Sequence, residues 1–308
     1  PGPLDAAIAS PAHCGADAGE YCAIWLGPEM PGDQRHDDAL SRIYDTGPLA
    51  EDMDIVGAPR LTLHLACDKP QGQIAVRLNH IHPDGASARV TYDVLNLSHR
   101  DSAEHPQFMT PGKIEEITLD LDHIAYRVPK GHRLRVSISN AYWPLIWPAP
   151  AAATLALTGG QIALPQRPSG NSDEVSFPPP TAATPWQTET LRPENHIRRQ
   201  EIDRVSGEIT LVIEDDFGKQ KDSDHGLIAG SVARERWTIH PDDPLSAKGS
   251  CHWTEENERG DIRLRTETYS SMWSDAEDFH LTARIEAYED DRLVYERDVE
   301  DSIPRHFM

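Results

Sequence analysis

The chain has 308 residues, a mass of 34.3 kDa and a formal net charge of −22 at pH 7. This acidic balance argues against a nucleic-acid-binding protein, because a polyphosphate partner requires a basic face. The mean hydropathy of −0.56, with no apolar run near the roughly 18 residues of a spanning helix, argues against a membrane protein. We therefore expect one large or two ordinary domains with a modest core.

The N-terminus and the cysteines bear on the cellular compartment. The first ten residues, PGPLDAAIAS, contain neither a basic segment nor an apolar core, so no signal peptide is expected. The cysteines lie far apart and form no C-x-x-C pair; they are Cys14, Cys22, Cys67 and Cys251. A disulfide framework is therefore not expected, and we predict a reducing, cytoplasmic location.

Apolar residues alternate with polar ones along most of the chain, as is typical of half-buried strands. In chain order the alternating segments of the first half are RLTLHLACD, QIAVRLNHIHPDG, ARVTYDVLNL, EEITLDL and HRLRVSIS. Turns such as Pro83-Asp84-Gly85 and Pro129-Lys130-Gly131 separate some of them. Many short strands between such turns predict an all-β fold, with a jelly-roll β-sandwich over residues 1–164.

Residues 165–194 differ in composition, with seven prolines between positions 165 and 193. Proline cannot donate to a strand ladder, so we predict an extended, proline-rich strap, with Phe177 and Trp186 as its anchors. Alternation resumes from residue 195, in segments such as GEITLVIEDDFG and FHLTARIEAYEDD. Residues 195–308 are therefore predicted to form a second, smaller antiparallel β domain.

Ser98 and His99, adjacent in LNLSHR, resemble a nucleophile beside its base. Neighbouring strand residues point to opposite faces, however, so these two side chains are poorly placed to hydrogen-bond. A serine nucleophile of a hydrolase also needs a sharp G-x-S-x-G turn, which the sequence lacks. We predict that Ser98 is not catalytic and that this chain alone has no hydrolase activity.

His80 and His82 lie two apart in NHIHPDG and so share one face of a predicted strand. With Asp84 they match the start of the H-x-H-x-D ligand set of some dinuclear zinc hydrolases. A metal centre needs further ligands, and the Pro83-Asp84-Gly85 turn accounts for the aspartate. We therefore predict no metal site and no cofactor, and keep a metallohydrolase using His80 and His82 as an alternative.

The run YWPLIWPAP, residues 142–150, is too apolar to lie free in solvent and too rich in proline to be a strand. It must cover its own sandwich, a ligand or another domain. We assign its aromatic residues Tyr142, Trp143 and Trp147 to an interdomain interface. If the chain were instead a stand-alone carbohydrate-binding module, the same three residues would form its sugar platform.

Several segments, in one order, resemble the C-terminal region of CocE/NonD (cocaine-esterase-like) serine hydrolases, relatives of X-Pro dipeptidyl-peptidases. They are PGDQRHDDALSRIYDTGPL (31–49), DIVGAPRLTLHLACDKP (54–70), VRLNHIHPDGASARVTYDVLNLSHR (76–100) and PGKIEEITLDLDHIAYRVPKGHRLRVSISNAYWPLIWPAP (111–150). The segment WSDAEDFHLTARIEAYEDDRLVYERDVEDSIPRHF (273–307) is similar to an extra β domain carried by some bacterial members.

The resemblance implies that the nucleophile, acid and histidine lie on an α/β-hydrolase domain N-terminal to the jelly roll. This chain would then be the non-catalytic C-terminal fragment of a hydrolase that cleaves small esters, amides or X-Pro dipeptides through an acyl-enzyme. Its partner would be the missing catalytic domain, with Tyr21, Trp25 and Leu26 in the pocket wall. Without that domain, the uncovered surface predicts a homodimer.

Overall fold

The computed structural model describes residues 6–23, 29–167 and 176–308. These residues are nearly all β, which confirms the predicted fold class. A short helix, α1 (Arg35–Ala39), precedes β2. The strands are β1 (Ala6–Ile8), β2 (Arg42–Asp45), β3 (Met53–Gly57), β4 (Arg60–Cys67), β5 (Gln73–Ile81), β6 (Ser87–Asn96), β7 (Glu115–Asp120), β8 (Ile124–Val128), β9 (Arg133–Ser139), β10 (Leu155–Ala163), β11 (Thr188–Arg192), β12 (Asn195–Ile202), β13 (Ile209–Asp222), β14 (Ile228–His240), β15 (Asp243–Arg259), β16 (Ile262–Ser274), β17 (Asp278–Glu289) and β18 (Arg292–Pro304). Among the described residues, no helix has the length and apolar character that a membrane span requires.

The chain divides into two compact units. The first comprises Pro1–Asn171, His240–Leu245 and Arg305–Met308, and the second comprises Ser172–Ile239 and Ser246–Pro304. The first unit is therefore discontinuous in sequence, because two short segments from the second half of the chain complete it.

Two four-stranded antiparallel sheets, in the orders β1-β10-β4-β7 and β2-β9-β5-β6, build the first unit together with the pair β3-β8. Alternate residues point inward as predicted: Leu61, Leu63 and Leu65 of β4 are at most 3% exposed. Ile74 and Val76 of β5 are equally buried, and residues from both sheets join one hydrophobic core. Burial of each such side chain contributes about 1.5–3 kcal/mol to the stability of the fold, so this shared core stabilises the β-sandwich.

The C-terminal segment Arg305–Met308 packs on this sandwich. The guanidinium of Arg305 is buried and donates to the carbonyl oxygen of Pro148 at 2.6 Å. The side-chain amide of Asn96 donates to the carbonyl of Phe307 at 2.7 Å, and the Phe307 ring lies 4.5 Å from that of Phe108. The segment is thus fixed by polar and aromatic contacts within the first unit.

The second unit is one eight-stranded antiparallel sheet. Its strand order is β11-β13-β14-β15-β16-β17-β18, and β12 also pairs with β13. The last strand, β18, pairs on one side with β17 and is exposed along its whole length of 13 residues. Within the part of the chain that the structure describes, β18 is therefore a long edge strand of this sheet.

The predicted strap, residues 165–194, differs from expectation in two respects. Thr188–Arg192 forms β11 at the edge of the second sheet, where the flanking prolines interrupt no ladder. Phe177 and Trp186 are 80% and 69% exposed, so neither anchors the segment by burial. The indole N–H of Trp186 donates instead to the carboxylate of Asp222 at 2.5 Å.

Candidate functional site

The DQRHDD segment places the carboxylate of Asp38 inside the first unit, where it is 2% exposed. It accepts hydrogen bonds from Ser137 Oγ at 2.6 Å and Ser87 Oγ at 2.7 Å. Two nitrogen donors, Asn79 Nδ2 at 2.9 Å and Arg135 Nη1 at 3.0 Å, complete the set. Asp38 thereby joins α1 to β5, β6 and β9 by bonds to a charged acceptor, which are the stronger kind.

A buried arginine balances the two carboxylates of α1. Arg77 is 1% exposed, and its guanidinium lies 3.3 Å from Asp38 and 3.7 Å from Asp37. It also donates to Gln34 Oε1 at 2.9 Å and to Ser41 Oγ at 2.8 Å. Charges at this depth persist only when they are paired and hydrogen-bonded, so these residues form one interdependent polar network.

The other carboxylate, that of Asp37, holds the segment that leads into the sandwich. It accepts from the backbone N–H groups of Gly15 and Asp17, each at 3.0 Å. Gly15 has φ +116°, and a Cβ there would lie 2.7 Å from the backbone of Tyr142. Burial and the neighbouring Asp37 carboxylate raise the pKa of Asp17. The segment is therefore fixed between α1 and the loop at residues 142–148.

Tyr21, one of the predicted pocket-wall residues, follows this fixed segment in the sequence. Tyr21 is 84% exposed, so its ring is available to a ligand or a neighbouring domain. Trp25 and Leu26 lie outside the described residues. The pocket-wall role of all three stays a prediction.

The aromatic loop mainly covers its own sandwich, one of the three options that its composition left open. Tyr142 and Trp143 are 1% and 2% exposed, whereas Trp147 is half-buried with its ring 5.3 Å from that of Trp143. Arg89 donates to the Tyr142 hydroxyl at 2.8 Å, and burial raises the pKa of Tyr142 to about 12. The rings of Tyr142 and Trp143 are buried and have no surface left to contact a sugar or another domain. The interface assignment is therefore kept only for Trp147, as a prediction.

Ser98 and His99 lie in a 3-10 turn, Leu97–His99, directly after β6. Ser98 is 2% exposed, and its backbone N–H donates to Asn96 Oδ1 at 3.0 Å. Within the described ranges, the Ser98 hydroxyl makes no hydrogen bond, to a histidine or to any other group. The two residues are therefore not arranged as a nucleophile and its base.

The other predicted pair, His80 and His82, is joined by a third histidine, His132. His80 is 3% exposed; its Nδ1 lies 2.8 Å from the Tyr126 hydroxyl and its Nε2 lies 2.6 Å from His132 Nδ1. Its ring stacks on that of His82, with 4.2 Å between centroids. Burial and the two neighbouring imidazoles lower the pKa of His80 to about 4, so its ring is neutral at pH 7.

Sequence reasoning missed His132 and the polar network around Asp38. His132 follows the predicted Pro129-Lys130-Gly131 turn. Pairing the next strand, β9, with β5, which ends at Ile81, brings His132 to the cluster. Arg77 and Asn79 alternate with the core residues Val76 and Leu78 on β5, a strand that is buried on both faces. The polar side chains at these alternating positions were the available sequence signal for the network.

A family model described as the X-Pro dipeptidyl-peptidase C-terminal non-catalytic domain matches residues 2–195. The chain belongs to this family. The match confirms the resemblance that the sequence motifs predicted, and it spans all strands of the first unit's sandwich.

Parts of the chain are similar to parts of two longer mycobacterial proteins. The Mycobacterium bovis protein named "Putative serine esterase Mb1866c" is 26% identical over an alignment of 126 residues, and the match covers 35% of this chain and 20% of that protein. A similarly named Mycobacterium tuberculosis protein matches equally. The chain therefore matches about a fifth of the length of these curated relatives.

The chain is also similar to parts of larger proteins of known structure. An alpha-amino acid ester hydrolase aligns with a TM-score of 0.47 and 19% identity, over 54% of this chain and 33% of that chain. A CocE/NonD family hydrolase from Staphylococcus aureus aligns with a TM-score of 0.37 and 12% identity, over 54% of this chain and 37% of that chain.

Proposed function

We propose that the chain is the non-catalytic C-terminal region of a CocE/NonD-type α/β-hydrolase, a serine hydrolase that cleaves small esters, amides or X-Pro dipeptides through an acyl-enzyme. The family match carries this proposal, because the matching model describes a domain without catalytic residues. The buried, unpaired Ser98 hydroxyl supports it, since this was the serine that the sequence offered as a nucleophile. Four free cysteines support a reducing, cytoplasmic location for the enzyme.

The first unit, in this proposal, packs against the catalytic domain and forms part of its substrate-pocket wall. The support is a rigid base beside an exposed aromatic residue: Asp37 and Gln34 fix the backbone at Asp17, and Tyr21 extends beyond it into solvent. Pocket walls need such fixed supports, because small displacements of contact residues reduce catalytic efficiency. Trp25 and Leu26 complete this wall in the proposal, and Trp147 contributes to the interface.

The purified chain is expected to turn over no p-nitrophenyl ester and to take up no fluorophosphonate label, because an activated serine requires a hydrogen-bonded base. Label incorporation is measured by intact mass against a known serine hydrolase as positive control. Stoichiometric labelling of any serine in this chain would contradict the proposal.

Trp147→Ser is expected to weaken association of the isolated chain, because Trp147 is the one aromatic of the loop, within the described residues, that keeps surface to lose. Sedimentation velocity at several concentrations measures the association of the wild-type and variant chains. Adding the α/β-hydrolase domain encoded by the same gene should suppress the association of the wild-type chain. Ile114→Ser is the control, since it removes an exposed apolar side chain outside this loop. Unchanged association of Trp147→Ser, with a sharp loss of thermal stability, would refute the interface role.

A further inference from the structure

Three imidazole rings converge at one end of the first unit's sandwich. One ring nitrogen from each of His80, His82 and His132 lies within 4.8 Å of the other two. The strand ladder explains the convergence: β5 and β9 pair Ile81 with Arg133, so the next residues outward are His82 and His132. His80 lies two residues before His82 and shares its face of the sheet.

The hydrogen bonds of His80 match those of a metal-ligating histidine. Such a residue commonly uses one ring nitrogen in a hydrogen bond that fixes its orientation, and directs the other toward the ion. In His80 the first nitrogen is Nδ1, 2.8 Å from the Tyr126 hydroxyl. The second is Nε2, which points into the cluster and lies 2.6 Å from His132 Nδ1.

The donor set also favours a transition-metal ion. Among the described residues, the hydrogen-bond and ring contacts of His80 are to Tyr126, His82 and His132, none of them a carboxylate that would stabilise an imidazolium. The nearby Asp84 accepts instead from the backbone of Ala86, within its own turn. Neutral imidazoles are ligands for zinc, copper and nickel, whereas magnesium and calcium prefer oxygen.

We propose that His80, His82 and His132 bind a divalent transition-metal ion of the zinc type, with water as the fourth ligand. Zn–N bonds of 2.0–2.1 Å around a tetrahedral ion separate the ligand nitrogens by about 3.3 Å. His80 Nε2 and His132 Nδ1 therefore move apart slightly, and the most distant pair closes by at most about 1.5 Å. His82 and His132 are half-buried, so their rings have room to turn.

This proposal replaces the sequence-based expectation that the chain has no metal site. That expectation rested on two histidines and a turn aspartate, and it lacked His132. The inference goes beyond the proposed function of the chain, because the domain would be non-catalytic whether or not it binds this ion.

The test uses the full chain, without a histidine tag, after dialysis against a chelator. Titration with ZnCl₂ followed by calorimetry is expected to show one equivalent bound, and CoCl₂ is expected to give the visible absorption of a tetrahedral site. His82→Ala and His132→Ala should each weaken binding by more than about 100-fold, and Tyr126→Phe by about 10-fold, because it loses only the orienting bond. Both histidines lie at strand ends, and circular dichroism confirms that the variants fold.

Two control variants locate the ion. His64→Ala changes an exposed histidine outside the cluster and should leave binding unchanged. His36→Ala removes the histidine of the second group of potential ligands, Asp17, His36 and Asp37, and should also have no effect. Binding that is abolished in His36→Ala but retained in His82→Ala would overturn the proposal. An absence of binding to the wild-type chain would overturn it as well.

Discussion

Replacing Asp38 with asparagine is expected to lower the free energy of unfolding of the first unit by about 3–5 kcal/mol. The change leaves the guanidinium of Arg77, 1% exposed, without one of its two carboxylate neighbours. It also replaces two charged acceptor oxygens, which together receive four hydrogen bonds, with one neutral acceptor and an NH₂ group that faces other donors. Urea unfolding followed by circular dichroism measures the effect.

Asp45→Asn is the matched control, because Asp45 pairs with the same Arg135 at 2.7 and 2.8 Å but is 29% exposed. Water screens this pair, so its loss is expected to cost about 1 kcal/mol or less. Equal destabilisation of the two variants would contradict the prediction that the buried network stabilises the first unit. A mild effect of Asp38→Asn alone would lead to the same conclusion.

Trp143→Ala is expected to destabilise the first unit by about 3–5 kcal/mol, because it opens a cavity where a ring that is 2% exposed now packs. In thermal unfolding of the full chain, the transition of the first unit should move to a lower temperature. The result decides between a core and a surface role for the loop, since an exposed aromatic would cost little when truncated.

Tyr21→Ala provides the comparison for an exposed ring in the same unit. Tyr21 is 84% exposed, so its truncation is expected to change stability by no more than about 0.5 kcal/mol. Equally small effects of Trp143→Ala and Tyr21→Ala would show that the aromatic loop is exposed. That result would support the predicted interface or sugar platform.

The strands of the sandwich were predictable because their signal is local. Leu61, Leu63 and Leu65 alternate with polar residues, and a strand exposes alternate residues to opposite faces whatever its partners are. Turn residues then marked where several strands end. The edge strand Thr188–Arg192 was missed, because the surrounding prolines suggested an extended strap and only a partner strand, β13, reveals its pairing.

The site residues were less predictable because their environment depends on contacts between distant segments. His132 is 50 residues from His82 in sequence, and the register between β5 and β9 that brings them together is not encoded in either strand alone. The composition of the loop indicated that Tyr142 and Trp143 are buried against other residues. It did not distinguish their own sandwich from a second domain, because both would bury the same apolar surface.

The discontinuity of the first unit has a consequence for the order of events during protein synthesis. Domains usually fold in turn as they leave the ribosome, the N-terminal one first. Here Arg305 is translated only after the whole second unit, yet its guanidinium fills a buried position beside Pro148. We expect the nascent sandwich to remain incomplete, with the Pro148 carbonyl uncapped, until the second sheet has already emerged from the exit tunnel.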